Sequence, residues 1–294
     1  MKHDLIIRGG KLVTANETYT ADIGIKDGRI ATLGENLDGD DIINADKKLV
    51  MPGGIEAHCH IAQESANGIM TSDDYETGSV SAAFGGNSCF VPFAAQKRGE
   101  SIASTIAEYD QRAETKSVID YSYHLILTDP NEKVLNELPS AFERGITSFK
   151  VFMTYATRVS DAQFLDILTI ARRHGGLTMV HAENHDMLSW MSNALTQAGY
   201  TEPRYHAPAR PSLAEEEAIN RAISLSKLAN APLMIVHVST PKGAELVARA
   251  RMDGAFVFGE TCPQYLFLTR DDIDRPNLEG AKYICSPPLR DVAT

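Results

Sequence analysis

The 294-residue sequence has few cysteines and no long apolar run. Its four cysteines, at positions 59, 89, 262 and 285, include no Cys-x-x-Cys pair and are too sparse for a disulfide framework, which favours a reducing compartment. The apolar run near the N-terminus is far too short for a signal peptide, and no stretch of about 18 apolar residues occurs anywhere. These absences predict a soluble, cytoplasmic protein.

Positive charge is also scarce, since 28 Lys and Arg stand against 39 Asp and Glu and give a formal net charge of −11. No segment is rich in Lys or Arg, which argues against nucleic acid or an anionic membrane as the main partner. We therefore expect a small-molecule ligand. The 43% of hydrophobic residues can build one large domain, or a large and a small one.

The pattern of the sequence changes after about residue 50. Residues 4–50 alternate short β-rich runs with turns, and the pair Asp27-Gly28 between IGIK and RIATLG is typical of a hairpin. We predict a small N-terminal β-sandwich domain over residues 1–50. Beyond it, apolar runs alternate with helical segments, as in Ser160-capped SDAQFLDILTIARRHGG, and this alternation is typical of βα units around a parallel sheet.

Residues 51–294 contain seven strand-like runs, which points to an α/β fold of the (β/α)8 TIM-like barrel type. An eighth run is missing from the sequence, so we expect a barrel that is incomplete at its C-terminal end. The seven runs cover residues 55–61, 88–94, 119–127, 148–153, 177–183, 233–239 and 255–261.

Two histidines flank a cysteine in MPGGIEAHCHIAQE, residues 51–64. In a β-strand, residues i and i+2 face the same side, so we expect His58 and His60 to point into the barrel and Cys59 to pack outward against a helix. A His-x-His pair alone is more often part of a polar edge strand. The motif therefore needs partners elsewhere in the chain.

Single histidines end two further strand-like runs, His181 after LTMV and His237 after LMIV. Barrel enzymes keep their active sites at the C-terminal ends of their strands. One such histidine is more often a hydrogen-bonded core residue. Four histidines at three strand ends instead predict a common site.

Lys150 lies in the apolar run TSFKVFM, where a bare ammonium group would be costly to bury. It could be part of a buried ion pair, or its stem could lead the charge to the surface. The functional interpretation is that burial lowers the pKa and exposes a neutral amine, which can react with carbon dioxide. The resulting carbamate can bridge two divalent ions about 3.5–4 Å apart.

Together these motifs resemble the cyclic amidohydrolases, most closely the dihydropyrimidinase and D-hydantoinase branch of the amidohydrolase superfamily. The resemblance spans almost the whole chain. It implies a hydrolase that opens dihydropyrimidine or hydantoin rings to N-carbamoyl amino acids by a metal-bridging hydroxide, as in pyrimidine catabolism. Its motifs are His-x-His after PGGI, then TSFKVFM, VHAEN, VHVS, GETCPQYL and EGAKYICSPPLR.

The resemblance also implies roles for individual residues. His58, His60 and carboxylated Lys150 would hold one metal ion, and Lys150, His181 and His237 the other, both usually zinc. Tyr155 would act on the substrate as the catalytic donor to the oxyanion, and backbone groups at Ser286 would bind the ring amide. Relatives are commonly tetramers, so we expect a homo-oligomer.

Members of this branch carry a catalytic Asp on strand eight, followed by an Asn that binds the ring. The sequence up to Thr294 contains neither, and Asp291 after SPPLR is a poor substitute. We therefore expect the 294-residue chain to be a poor catalyst.

Three other functions stay open. Dihydroorotases have an Arg shortly after the His-x-His, and residues 61–97 of this chain contain no Arg. Allantoinase is harder to exclude, although Tyr155 resembles the dihydropyrimidinase branch more closely. An inactive, truncated dihydropyrimidinase-related protein with an assembly role is the third, although such proteins have lost the ligands that this chain retains.

Overall fold

The computed structural model describes residues 2–65 and 68–292. The chain divides into two compact units, one of residues 1–55 with 84–89 and one of residues 56–83 with 90–294. Among the described helices, none is both long and apolar enough to cross a membrane.

The first unit contains one five-stranded sheet with the order β3-β2-β1-β4, in which β5 also pairs with β1. The predicted hairpin joins β2 to β3, and both Asp27 (φ 51°) and Gly28 (φ 71°) have the left-handed backbone that a type I′ turn requires. Leu12, Ala21 and Ile23 form its small core. The strands are His3–Val13 (β1), Thr18–Lys26 (β2), Arg29–Gly34 (β3), Gly39–Asn44 (β4) and Leu49–Val50 (β5).

The second sheet has the order β13-β12-β11-β10-β9-β7-β6, with the short β8 also paired to β7. From β7 to β13 every neighbouring pair along this order is parallel. Each of the seven predicted runs overlaps a strand, and the run 119–127 is divided between β8 and β9, so the predicted α/β barrel class is confirmed. The strands are Gly54–Cys59 (β6), Asn87–Ala95 (β7), Asp120–Tyr121 (β8), His124–Ile126 (β9), Ser148–Phe152 (β10), Leu177–His181 (β11), Leu233–Ile235 (β12) and Val257–Gly259 (β13).

Helices connect the successive parallel strands. The predicted cap of α4 is present, because the Ser160 hydroxyl accepts from the Gln163 backbone and the Gln163 side chain accepts from the Ser160 backbone. The helices are Tyr75–Phe84 (α1), Ile102–Ala113 (α2), Glu132–Glu143 (α3), Asp161–Arg173 (α4), His185–Gln197 (α5), Ser212–Ala229 (α6), Pro241–Met252 (α7), Gln264–Phe267 (α8) and Arg270–Ile273 (α9), with 3₁₀ turns at Pro203–Tyr205 and Glu279–Tyr283.

Strand alternation divides the apolar residues of the second unit between two faces of the sheet. On β10, Phe149 and Val151 belong to the large core packed under the helices. Phe152, from the alternate positions, packs with the smaller inner cluster of Phe93, Ile126, Met179 and Val236. Lys150 has its ammonium over the rings of Phe93 and Phe152, and so it lies on the inner face.

Candidate functional site

The residues predicted to form a site line one cavity of about 790 Å³ in the second unit. Six of them come from β6, β10, β11 and β12 or from the segments that directly follow these strands, as expected for a barrel site, and the seventh lies after the 3₁₀ turn Glu279–Tyr283. The structure thus brings the set together, while the individual roles stay predictions. The set consists of His58, His60, Lys150, Tyr155, His181, His237 and Ser286.

His58 and His60 share one face at the end of β6, as strand alternation predicts. Their ring centroids are 5.6 Å apart, and each ring contacts Phe93 of the inner cluster, at 4.8 and 4.6 Å. Cys59 instead packs against the large core under the helices. Burial raises the pKa of its thiol to about 12, which favours a packing role over that of a thiolate ligand.

His181 and His237 face each other within the cavity. Nδ1 of His181 is 3.0 Å from Nε2 of His237, and the two rings are 4.6 Å apart. Burial lowers the pKa of both imidazoles, which keeps them neutral at physiological pH. His237 follows β12 with a left-handed backbone, φ 43°, a conformation that is strained for histidine and recurs at functional sites.

Oxygen acceptors fix the hydrogen on three of the four imidazoles. Such an acceptor selects the tautomer with N–H on the bonded side, and the other ring nitrogen keeps its lone pair. The three bonds join Nδ1 of His58 to Oε1 of Glu260 (2.5 Å), Nδ1 of His60 to Oε1 of Gln63 (2.6 Å) and Nε2 of His181 to Oε2 of Glu183 (2.6 Å). The lone pairs therefore fall on Nε2, Nε2 and Nδ1.

Lys150 is 1% exposed, and its ammonium lies 4.7 Å from the Phe93 ring centroid and 4.9 Å from that of Phe152. No ion pair to Lys150 forms within residues 2–65 and 68–292. Burial lowers its pKa to about 7, against a smaller opposing effect of the Glu260 carboxylate. The chain thus presents an amine that is partly neutral near pH 7.

Two divalent metal ions were predicted at this cavity, and the donor atoms fit metal binding. In the described part of the chain, no three His, Cys, Asp or Glu side chains are by themselves arranged as a metal site. The predicted arrangement depends on Lys150, which is outside these four residue types. Two nitrogens on one tetrahedral zinc lie about 3.3 Å apart, close to the 3.0 Å between His181 and His237. The buried Nδ1 of His237 has no hydrogen-bond partner among the described residues.

Tyr155 follows β10 and has a left-handed backbone, φ 69°. This conformation brings its ring within 5.2 Å of the His181 ring. Burial raises the pKa of the phenol, an effect that the nearby Arg210 opposes, so the hydroxyl remains a hydrogen-bond donor. On the loop that carries Ser286, the preceding carbonyl of Cys285 accepts from Nε2 of His206 at 2.8 Å.

Besides Gln63, three residues of this network carry no role in the sequence-based prediction. Glu183 stands two positions after His181, so strand alternation alone could have placed the two on one side. Glu260 directly follows β13, and its carboxylate at a strand end was a second available signal. Arg210 belongs to the segment between the 3₁₀ turn Pro203–Tyr205 and α6, and no local pattern marks it.

Asp291, judged a poor substitute for the strand-eight Asp, lies away from the histidines. Its carboxylate pairs with Arg270 at 2.7 Å. Asp291 lines a different and larger cavity of about 910 Å³, next to α7 and the segment 265–269. That larger cavity contains none of the histidines, so we place the site in the smaller one.

Comparison with known proteins identifies the relatives of the chain. No protein-family model matches it. It is 43% identical to the D-hydantoinase of Geobacillus stearothermophilus over 291 residues and 43% identical to that of Ralstonia pickettii over 290. The crystal structure of dihydropyrimidinase from Brevibacillus agri NCHU1002 superposes with a TM-score of 0.95 at 43% identity and covers 99% of the chain. The chain is a homologue of the D-hydantoinases.

The homology with the D-hydantoinases covers nearly all of this chain but not all of its relatives. The alignments include 97% and 98% of the chain, and they span 62% and 63% of the Geobacillus and Ralstonia enzymes. The Brevibacillus structure is matched over 64% of its chain. The chain therefore spans somewhat less than two thirds of the length of these relatives.

Proposed function

We propose that the chain carries the metal-binding and carbonyl-binding part of a hydrolase that opens cyclic amides, 5,6-dihydropyrimidines or hydantoins, to N-carbamoyl amino acids. The observation that supports this most is the convergence of four imidazoles, one buried amine and one phenol on a single cavity. Homology to enzymes named D-hydantoinase and dihydropyrimidinase supports the same reaction.

We propose that two divalent ions, zinc in the first instance, bind here through five side chains. His58 and His60 would offer Nε2 lone pairs to one ion, and His181 and His237 would offer Nδ1 and Nε2 to the other. Glu260, Gln63 and Glu183 support this assignment, because each holds the N–H of a ligand on the side away from the ion. Lys150 would bridge the two ions as its carbamate.

The carbamate of Lys150 would form when its neutral amine attacks carbon dioxide, making a new N–C bond and releasing one proton. A pKa lowered to about 7 supports this step, because a usable fraction of the amine is unprotonated near neutral pH. Burial also protects the product from water, since Lys150 is 1% exposed. The modification turns a costly buried cation into an anionic ligand.

Bound divalent ions lower the pKa of water and polarise a carbonyl group, which is the chemistry that amide hydrolysis needs. Tyr155 would donate its phenolic hydrogen to the carbonyl oxygen of the ring as negative charge develops there. Backbone groups at Ser286 would hold the ring amide, and the bond from His206 to the Cys285 carbonyl restrains that loop. The cavity of about 790 Å³ has room for a small ring.

Metal analysis of chelator-free protein tests this function. We expect about two divalent ions per folded chain, together with ring opening of dihydrouracil or hydantoin above the buffer rate. His237→Ala should lose one ion and the reaction. His174→Ala, which removes an exposed histidine after α4, should keep both. Fewer than one ion per well-folded wild-type chain would contradict the proposal.

Three further assignments stay proposals. A homo-oligomer, a tetramer in the first instance, rests on the family resemblance, and sedimentation of the purified chain tests it. A cytoplasmic location is supported by the small number of cysteines, four in 294 residues with no Cys-x-x-Cys pair. The division into a small β domain over residues 1–50 and a barrel domain over 51–294 can be tested by limited proteolysis near residue 50.

A further inference from the structure

Arg210 contacts two different parts of the candidate site with one guanidinium group. Its Nη1 donates to Oε2 of Glu183 at 2.5 Å, and its Cζ lies 5.3 Å from the ring centroid of Tyr155. The side chain is 15% exposed and that of Glu183 is 1% exposed, so the ion pair is largely shielded from water. Arg210 thus forms a direct ion pair with the buried carboxylate of Glu183.

Glu183 connects Arg210 to a proposed metal ligand, His181. The same oxygen, Oε2, accepts from Nε2 of His181 at 2.6 Å and from Arg210. A carboxylate that accepts from a ligating histidine orients the ring and raises its basicity. Because Arg210 holds Oε2 from the other side, it fixes where that acceptor lies.

The contact with Tyr155 affects the proposed oxyanion donor rather than a metal ligand. A guanidinium above an aromatic face is attracted to it and restricts the tilt of the ring. The left-handed backbone of Tyr155, φ 69°, is unfavourable for a bulky residue and needs the surrounding structure to maintain it. A rigid partner over the ring is one such support.

Arg210 is itself held in place. Nη1 of Arg290 donates to the Arg210 carbonyl at 2.6 Å, and Nη2 of Arg290 pairs with the buried Glu215 at 3.1 Å. The Glu215 carboxylate also accepts from the Ser239 backbone at 2.8 Å, two residues after His237. The backbone at Arg210 is thus tied to the loop that follows β12.

We infer that Arg210 is a positioning residue that fixes a metal ligand, His181, and the oxyanion donor, Tyr155, relative to each other. This inference rests on the proposed function, and it deepens it by assigning a part to a residue outside the ligand set. If Arg210 only neutralised Glu183, it would contribute to stability but not to metal binding or turnover. The test must therefore measure metal binding and turnover as well as stability.

The deciding measurement is the binding of cobalt(II) to the full 294-residue chain, by chelator competition and by its visible absorption spectrum. Arg210→Met should weaken cobalt binding by about 10–100-fold and change the absorption bands, as losses around a ligating histidine do. It should also lower kcat for hydantoin more than it changes KM, because Tyr155 acts on charge that develops during the reaction.

One further variant separates the effect on the metal ligand His181 from the effect on the phenol of Tyr155, and a second variant is the control. Arg210→Lys keeps a positive charge near Glu183 but lacks the planar group over Tyr155, so cobalt affinity should recover in part while kcat stays low. Arg204→Met is the matched control. Arg204 also lies 5.3 Å over a tyrosine ring, Tyr205, with carboxylates at 3.5 and 3.6 Å, but away from the cavity. Its loss should leave cobalt binding and kcat unchanged.

The outcomes distinguish this inference from the proposed function. Folded Arg210→Met with the cobalt affinity, spectrum and kcat of the wild-type chain would overturn the role of Arg210 alone. Wild-type protein that binds no cobalt would overturn both. If Arg210→Met does not fold, Arg210→Lys and Glu183→Gln decide. Wild-type cobalt affinity and spectrum in both of these variants would then overturn the inference.

Discussion

Nδ1 of His58 lies 2.5 Å from Oε1 of Glu260, although the two residues are 202 positions apart in the sequence. His58 belongs to β6 and Glu260 follows β13, and these two strands are the two ends of the sheet order. The sheet therefore curls far enough for its end strands to meet at the candidate site. The carboxylate then selects the His58 tautomer whose Nε2 can bind a metal.

Replacing Glu260 tests whether this contact prepares a ligand. Glu260→Ala removes the acceptor from Nδ1 of His58, so we expect metal affinity to fall about 10–100-fold. Glu260→Gln keeps an acceptor oxygen and should retain most of the affinity. Glu245→Ala is the control, since the Glu245 side chain pairs with Lys242 on the exposed side of α7. Competition with a chelator measures all four proteins, and equal affinities would show that Glu260 does not orient His58.

Lys150 is predicted to be carboxylated and indispensable for the bridge between two ions. Lys150→Ala should therefore lose metal and activity, since no acidic residue of β10 can replace the carbamate. Short carboxylic acids added to this variant should restore part of both, because they supply an anionic bridge in the space left by the side chain. Mass spectrometry of the native wild-type protein should show the added CO₂. A metal-loaded, active Lys150→Ala protein without added acid would contradict the bridge.

The apo protein should carry a measurable cost for burying Lys150. Its pKa falls from 10.5 to about 7 on folding, so between these values the unfolded chain binds the extra proton. The free energy of unfolding then rises with pH, by about 1.4 kcal/mol per pH unit at most from this group. In buffer free of metal and carbon dioxide, Lys150→Met should be more stable than the wild-type protein at pH 7, and the gap should narrow toward pH 10. Denaturant titrations at several pH values measure it.

A matched control variant shows whether the change in stability is specific to the buried amine of Lys150. Lys242→Met removes an ammonium that is exposed on α7 and paired with Glu245, so no burial cost is relieved. It should change the free energy of unfolding little, and without the pH dependence expected for Lys150→Met. A pH-independent difference between wild type and Lys150→Met would show that the buried amine does not titrate as its surroundings imply.

Much of the fold could be predicted from the sequence because most strands of the second unit contain short apolar runs bounded by turns. The run 119–127 shows the limit. It divides around residues 122 and 123, where the Tyr123 ring is buried against Tyr75 and Tyr109. These aromatic partners come from distant helices. A local pattern cannot anticipate a contact that exists only after the chain has folded.

Some residues of the candidate site could likewise be predicted from the sequence, and others could not. Its histidines and Lys150 were found because they interrupt or end apolar strands, and this pattern can be read directly from the sequence. The acceptors Glu183 and Glu260 also stand next to strand ends, but carboxylates are common there and nothing local distinguishes these two. Arg210 is 55 positions from Tyr155, and only the folded chain brings its guanidinium over that ring.

The last prediction concerns Cys59, which lies between two proposed ligands and is expected not to be one. Strand alternation places its thiol in the core under the helices, and burial raises the pKa to about 12, so little thiolate exists at neutral pH. Cys59→Thr should therefore retain bound metal, at some cost in stability because it places a hydroxyl in an apolar contact. His58→Ala and His60→Ala, one residue to either side, should lose metal while remaining folded. Elemental analysis and circular dichroism compare the three variants, and a folded Cys59→Thr protein without metal would mean that β6 presents the opposite face to the cavity.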